Sequence, residues 1–139
     1  MSALPSVSDV RTFTLPLHNR ADGDLAVLEK ANLPFPIARV FFVRAAEAVT
    51  RGQHAHKLCN QFMMCVHGSI EVICDDGKRK QSLVLDTIDK AVLVPASIWA
   101  SEIYRQPQSV LMVACDRPYE EFDYIRNYDD FRRYRGVSA

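Results

Sequence analysis

Short apolar segments separated by turn residues are the dominant pattern of this chain. None of them shows the three-to-four-residue spacing of a long amphipathic helix, and several alternate or are continuously apolar, as β-strands do. Such segments at intervals of roughly 8–12 residues predict about seven or eight short strands. The candidate strands are 10–17, 25–29, 37–43, 62–66, 70–74, 82–86, 91–95 and 109–115.

Turn residues divide these segments and set the fold class. Asp75-Asp76-Gly77-Lys78 is a hairpin signal between two strand-like runs, and His67-Gly68-Ser69 and Ala21-Asp22-Gly23-Asp24 predict further turns. Pro34 and Pro36 exclude a regular ladder between the early strands. The pattern is typical of an all-β sandwich or barrel, most simply a jelly roll. We expect one domain over 1–139, with a loose arm at 1–9.

The C-terminal segment has a different periodicity. Tyr124, Tyr128 and Phe131 lie at helical spacing, which predicts a short helix over 122–134. This helix either caps one end of the barrel or lends an aromatic side chain or Arg126 to the rim of a pocket.

Composition narrows the function classes. The chain has 139 residues, 48% of them hydrophobic, with 17 basic and 17 acidic residues, which suits one domain with a core. Balanced charge and a pI near 6.9 argue against a nucleic-acid partner. No segment predicts a membrane span, and the N-terminus does not resemble a signal peptide. Four cysteines without a C-x-x-C pair suggest reduced core residues of a cytoplasmic protein.

The stretch from Arg51 to Lys57, Arg-Gly-Gln-His-Ala-His-Lys, carries the candidate chemistry. On a strand, His54 and His56 point to the same face because side chains alternate with period two. The strand that follows, 62–66, is fully apolar, so the pair is expected to project into a cavity beside the core. Histidine titrates near neutrality, which suits acid–base catalysis.

The spacing Gly52-x-His54-x-His56, then Gln61, then Gly68, resembles the first cupin motif, and 95–100 resembles the second. Metal-binding cupins use both histidines, a Glu and a later His. Here Gln61 replaces the Glu and Ala100 replaces the last His. Because a neutral amide is a much poorer ligand than a carboxylate, we expect no bound metal.

A narrower resemblance is to the sugar 3,4-ketoisomerases of the FdtA and QdtA type, which are WxcM-like cupins. It rests on segments spread over roughly residues 22–134: Arg39-Val40-Phe41-Phe42, 51–57, Asp75-Asp76-Gly77, Trp99, and Asp-Tyr-Ile-Arg-Asn-Tyr at 123–128. The resemblance implies a cupin jelly-roll barrel, a homodimer and no cofactor. It also implies an isomerase that moves the keto group of dTDP-4-keto-6-deoxyglucose from C4 to C3, which supplies a precursor of deoxyamino sugars.

The chain departs from this family at three positions. Members often have tyrosine in the stretch that matches Phe41 and Phe42, many have His at Ala100, and some have Arg or Tyr near Asp22. These departures bear on the C4 configuration of the product. Two other functions remain open: a metal-dependent cupin enzyme acting on a small molecule, and a non-catalytic sugar-binding module.

Roles for the other candidates complete the hypothesis. We expect His54 to be the main base at C3 and His56 to relay the proton. Arg51 and Lys57 either stabilise the enediolate or the diphosphate, or form a solvated surface pair. The remaining candidates are Gln61 as a hydrogen-bond partner that sets a histidine tautomer, Trp99 as a packing surface for thymine or sugar or else a core residue, and Arg39 as a nucleotide contact or solvated strand end.

Overall fold

Two antiparallel five-stranded sheets form the body of the protein. The structure is a computed structural model, and it describes residues 3–137. The strands are β1 (Arg11–Thr14), β2 (Leu17–Arg20), β3 (Gly23–Ala26), β4 (Arg39–Ala45), β5 (Thr50–His56), β6 (Gln61–His67), β7 (Ile70–Asp75), β8 (Lys80–Leu85), β9 (Lys90–Val94), β10 (Trp99–Tyr104), β11 (Ser109–Cys115) and β12 (Tyr124–Ile125), followed by helix α1 (Tyr128–Tyr134). No helix among the described residues is long and apolar enough to cross a membrane.

The strand order is that of a jelly roll. One sheet runs β1-β9-β6-β11-β4, the other runs β12-β5-β10-β7-β8, and β2 and β3 form a separate hairpin. The predicted all-β fold with a short C-terminal helix is therefore confirmed. β10 is absent from the prediction, because Ser101 and Glu102 interrupt its hydrophobic pattern although alternate residues are buried.

The main core lies between the two sheets. Met63 and Cys65 of β6 and Leu111 and Val113 of β11 face the second sheet, and all four are almost fully buried. The predicted buried strand at 62–66 is thus β6. All four cysteines are buried, as predicted, and none forms a disulfide.

Smaller apolar clusters cover the outer faces. On the first sheet, Phe62 and Met112 pack with Leu15 and with the partly buried Leu33 and Phe35. On the second sheet, Ala55 of β5, Ile125 of β12 and Phe131 of α1 are buried together, with Trp99 and Tyr128 packed against them. The helix therefore covers the outer face of β5 and β10.

The predicted helix over 122–134 is wrong in its first half. Tyr124 and Ile125 pair with His56 and Ala55 as strand β12. The helix begins only after Asn127, whose side chain accepts a hydrogen bond from the Asp130 backbone N–H. The helical spacing of the aromatic residues thus extends across two different elements.

The expected loose arm at 1–9 also needs correction, for its later residues. Val7 is 4% exposed and starts a 3-10 turn, Val7–Asp9. Its backbone N–H donates to Asp76 Oδ2 at 3.0 Å, which ties the arm to the β7–β8 hairpin. Residues 1 and 2 lie outside the described part of the chain.

Candidate active site

Strand β5 places both histidines on the inner face of the second sheet. Ala55, between them, faces outwards into the cluster with Ile125 and Phe131. His54 and His56 consequently lie side by side, with ring centroids 5.1 Å apart in an edge-to-face arrangement. The predicted shared face is confirmed.

A carboxylate holds His56. Its Nδ1 donates to Asp123 Oδ2 at 2.8 Å, and both side chains are almost fully buried. Asp123 also accepts from the backbone N–H of Leu58 at 2.6 Å and of Cys59 at 3.3 Å, so its orientation is fixed by the loop after β5. Because a carboxylate only accepts, the proton sits on Nδ1 and Nε2 carries a lone pair. That Nε2 is buried, and it has no hydrogen-bond partner within residues 3–137.

His54 is the more accessible ring of the pair. Burial lowers its pKa to about 4, helped by the neighbouring His56 and by Arg126, and opposed by a hydrogen bond to the Gly52 carbonyl. Burial also lowers the pKa of His56, although the bond to Asp123 opposes this. Both rings are therefore neutral near pH 7, the state in which imidazole accepts a proton.

An aromatic and cationic group surrounds the two rings. Tyr124 packs against both rings, with its ring centroid 5.0 Å from His54 and 4.3 Å from His56. Arg39 Nη1 donates to the Tyr124 hydroxyl at 3.4 Å, and the Arg126 guanidinium stacks 4.2 Å from the Tyr124 ring centroid. The positive charges of Arg39 and Arg126 thus lie close enough to act on His56.

The other residues predicted from the sequence are divided between this group and more distant positions. Phe41 joins the group, since the Arg39 guanidinium lies 4.6 Å from its ring centroid. Lys57 lines an adjoining cleft of about 460 Å³ with Arg126 and Tyr124. Trp99 does not join it: Trp99 packs on Tyr128 and Phe131 on the outer face, with centroids 5.2 and 5.5 Å away.

Asp22 and Arg51 also lie apart from the aromatic group. Asp22 is exposed in the turn between β2 and β3. Arg51 is exposed on β5, opposite Glu102 in the strand register. Ala100, by contrast, is buried and lies directly across from His54.

The expectation that Gln61 orients a histidine is wrong in this structure. Asp123 is the partner of His56, and the Gln61 side chain hydrogen-bonds the Cys115 thiol.

In the described part of the chain, one set of side chains has metal-ligand chemistry. His56, Cys59 and Asp123 place one ligand atom each within 4.8 Å of one another. A hydrogen bond with Cys115, together with burial, raises the pKa of the Cys59 thiol. A metal would have to displace that proton and the Nδ1 proton of His56, so the set fits a hydrogen-bonded network better than a metal centre.

Sequence reasoning missed Asp123 as a functional residue. It belongs to the segment 123–128 that carried the family resemblance, but 67 positions separate it from His56. No local pattern links residues so distant. The sequence offered only one sign of it: a carboxylate, Asp123, stands next to an aromatic residue, Tyr124, after strand β11.

Comparison with known proteins places the chain among nucleotide-sugar enzymes. The family model described as "FdtA: WxcM-like, C-terminal" matches residues 8–136. A TDP-4-oxo-6-deoxy-alpha-D-glucose-3,4-oxoisomerase from Aneurinibacillus thermoaerophilus is 37% identical over 111 residues, covering 79% of this chain and 80% of the relative.

Solved structures give the same result. A 3,4-ketoisomerase from Helicobacter canadensis superposes with a TM-score of 0.87 at 28% identity, covering 92% of this chain and 98% of the other. QdtA, a sugar 3,4-ketoisomerase from Thermoanaerobacterium thermosaccharolyticum in complex with TDP, superposes with a TM-score of 0.88 at 26% identity, covering 92% and 95%.

Proposed function

Because the chain belongs to the FdtA family of WxcM-like proteins, we propose that it is the isomerase that moves the keto group of dTDP-4-keto-6-deoxyglucose from C4 to C3. The product is a dTDP-3-keto-6-deoxyhexose, a substrate for enzymes that add an amino group to the new ketone. The reaction needs proton transfer and no redox step, which matches a pair of neutral histidines.

His54 is the base at C3. It is the less buried of the two rings, so a sugar that enters from the rim meets it first. Its hydrogen bond to the Gly52 carbonyl leaves the other ring nitrogen free to accept. Removal of the C3 proton gives an enediolate. Proton delivery to C4, together with transfer of the hydroxyl proton from O3 to O4, completes the isomerisation.

His56 and Asp123 form the relay, and the unpaired Nε2 of His56 is the observation that carries the proposal. A buried imidazole lone pair without a donor costs free energy, on the order of 1–3 kcal/mol. Its Nδ1 is held by Asp123, so the ring is oriented and its second nitrogen is left for a ligand. A sugar hydroxyl at the site would satisfy this nitrogen and exchange a proton with it.

Charged groups near the pair complete the substrate site. Arg39 and Arg126 both contact Tyr124 beside the histidines, where negative charge develops on the enediolate. Lys57 and Arg126 line the adjoining cleft, and guanidinium and ammonium groups suit diphosphate oxygens. We assign the diphosphate to this cleft, which keeps nucleotide binding separate from the histidines.

The test uses His54→Asn and His56→Asn, with His67→Asn as the matched control on the exposed end of β6. We expect turnover to fall by about 100- to 10,000-fold in His54→Asn, less in His56→Asn, and to stay unchanged in the control. Affinity for dTDP, measured by calorimetry, should be kept in all three. Product NMR in D₂O follows the proton at C4.

Near-normal turnover in both histidine variants would remove the pair from the mechanism. Binding of dTDP without any turnover by the wild type would instead favour a non-catalytic sugar-binding module.

The C4 configuration of the product depends on what faces the sugar beside His54. Ala100 lies there and has no proton to donate. We therefore propose the 3-keto product with the gluco configuration, and a galacto product identified by NMR would reverse this assignment alone.

Metal-free catalysis is part of the proposal. Gln61 and Ala100 stand at two ligand positions of metal-binding cupins and supply no good ligand. Elemental analysis should find no stoichiometric transition metal. About one zinc or iron per chain, with activity lost on chelation, would point to a metal-dependent cupin.

We also propose a homodimer. Strand β4 is a sheet edge, and its outer face exposes Val40 at 47% and Phe42 at 65%. Apolar residues on an open edge favour pairing, and twofold dimers are the commonest assembly. Light scattering at micromolar concentration should report twice the chain mass, and a monomer would contradict this.

A further inference from the structure

Glu102 is a carboxylic acid inside the barrel that the mechanism above does not use. It lies on β10 between Ala100 and Tyr104, which face the core between the sheets, so its side chain faces inwards as well. The residue is 7% exposed, and Arg51 lies opposite it in the strand register. A carboxyl group held so far from water is costly in its charged form.

The carboxyl group of Glu102 rests against Gly52. A Cβ atom added at Gly52 would lie 2.7 Å from Glu102 Oε2, so a side chain at this position would displace the carboxyl group. Gly52 and Gln53 both have positive φ, 79° and 58°, and the register between β5 and β10 shifts at this point. These features form a β-bulge, which re-aims the residues that follow it.

The bulge is connected directly to His54. The backbone of Gly52 acts on the His54 ring and raises the pKa of that ring, so the position of Gly52 bears directly on the base. The contact between Glu102 and Gly52 thus lies two residues before the proposed base.

The groups facing Glu102 come from four strands. Arg51 is on β5, Cys74 on β7, and Tyr104 on β10 with Cys65 of β6 behind it. Burial raises the pKa of Glu102 to about 8, and the charge of Arg51 opposes this. Burial raises the pKa of Cys74 to about 12 and that of Tyr104 above its usual range, so both stay neutral over the pH range in which Glu102 ionises.

We propose that Glu102 is a positioning residue for His54: its neutral carboxyl group packs on Gly52 and holds the bulge that aims the base. This rests on the proposed isomerase function. When Glu102 ionises, the carboxylate requires water or Arg51 as a partner and leaves its contact with Gly52. It also places a negative charge near the enediolate, which opposes the reaction.

The pH profile is the first test. With a group of pKa about 8 that must be neutral, kcat at pH 9 is about one tenth of kcat at pH 7. Glu102→Gln keeps the shape and cannot ionise, so its ratio should be close to one. The matched control is Glu71→Gln, a partly exposed carboxylate on the neighbouring strand β7, which should retain the tenfold decrease. Each variant's kcat at pH 9 is divided by its own kcat at pH 7, so any decomposition of the substrate at high pH affects all the ratios equally.

A measurement on the wild type covers the case in which Glu102→Gln fails to fold. The ¹⁵N signals of the His54 ring should move between pH 7 and 9 with the midpoint of the turnover profile. An alkaline decrease that persists in Glu102→Gln, or His54 signals that do not move, would overturn the proposal. A wild type inactive at pH 7 would contradict the isomerase function instead, and the NMR midpoint would still test Glu102.

Discussion

Replacing Asp123 with asparagine tests the relay with a change of one atom. Asp123 Oδ1 accepts from the Leu58 backbone, and Oδ2 accepts from His56 Nδ1 and, at 3.3 Å, from the Cys59 backbone. In Asp123→Asn the oxygen can remain on the Leu58 side, which puts the NH₂ group where Oδ2 was. The amide then donates to Nδ1, so the His56 proton moves to Nε2 and the lone pair is lost from the site.

The expected magnitude follows from the contacts. Losing a correctly oriented proton carrier lowers kcat by about 100- to 10,000-fold, which corresponds to roughly 3–5 kcal/mol in the barrier. The new NH₂ group also meets the Cys59 N–H, and this unsatisfied contact costs about 1–3 kcal/mol of folding stability. Since the charge and hydrogen bond of Asp123 raise the pKa of His56, the variant should lower that pKa further.

The assay compares kcat for the nucleotide sugar, affinity for dTDP and thermal unfolding in the same preparation. Asp116→Asn is the matched control, because Asp116 accepts hydrogen bonds from the backbone and side chain of Asn60 at 2.9 and 2.8 Å and, among the described residues, from no histidine. Both variants should lose stability, whereas only Asp123→Asn should lose turnover at a temperature where it is folded. Full turnover by folded Asp123→Asn would refute the relay.

Three further outcomes follow from the structure. Gly68→Ala should destabilise the protein by a few kcal/mol in denaturant titration, because φ is +88° and a Cβ atom would lie 2.9 Å from the Ser109 backbone; an unchanged midpoint would contradict this. The raised pKa of Glu102 makes the stability of the wild type fall as pH rises from 4.5 to 8. In Glu102→Gln this fall should be smaller by up to about 5 kcal/mol in the free energy of unfolding. The lowered pKa of His54 has the opposite sign: unfolding experiments should show stability decreasing as pH falls from 6.5 to about 4, and less so in His54→Asn.

Local patterns predicted most of the fold. Strand β6 and the turn at Asp75–Lys78 each follow from residues adjacent in sequence, and the structure has both. Strand β10 was missed because Glu102 places a polar residue on its inner face, against the alternation rule. The C-terminal aromatic spacing misled the helix prediction, since Tyr124 forms a strand with β5 instead.

The sequence predicted only the part of the candidate site that lies on a single strand. His54 and His56 are one residue apart, so their shared face follows from strand geometry alone. Ala100 pairs with His54 and faces the interior, so the side chain of its neighbour Trp99 points out of the barrel. That pairing joins two strands and cannot be predicted from either segment alone. Asp123 required the closure of two distant segments, and therefore only the folded structure identifies it as the partner of His56.

The 67-residue separation between His56 and Asp123 has a consequence for how the protein folds. Closing the intervening chain costs entropy, and β12 offsets that cost with only two residue pairs to β5, fewer than the seven pairs of the longer-range pairing between β4 and β11. Strand β12 joins β5 at the edge of its sheet, and this pairing brings Asp123 to the histidine. Partly folded species with both sheets but an undocked C-terminal segment would therefore be inactive. Recovery of turnover during refolding should follow the slowest structural phase rather than the early gain of β-structure. The rate at which activity returns therefore measures the rate at which the C-terminal segment docks.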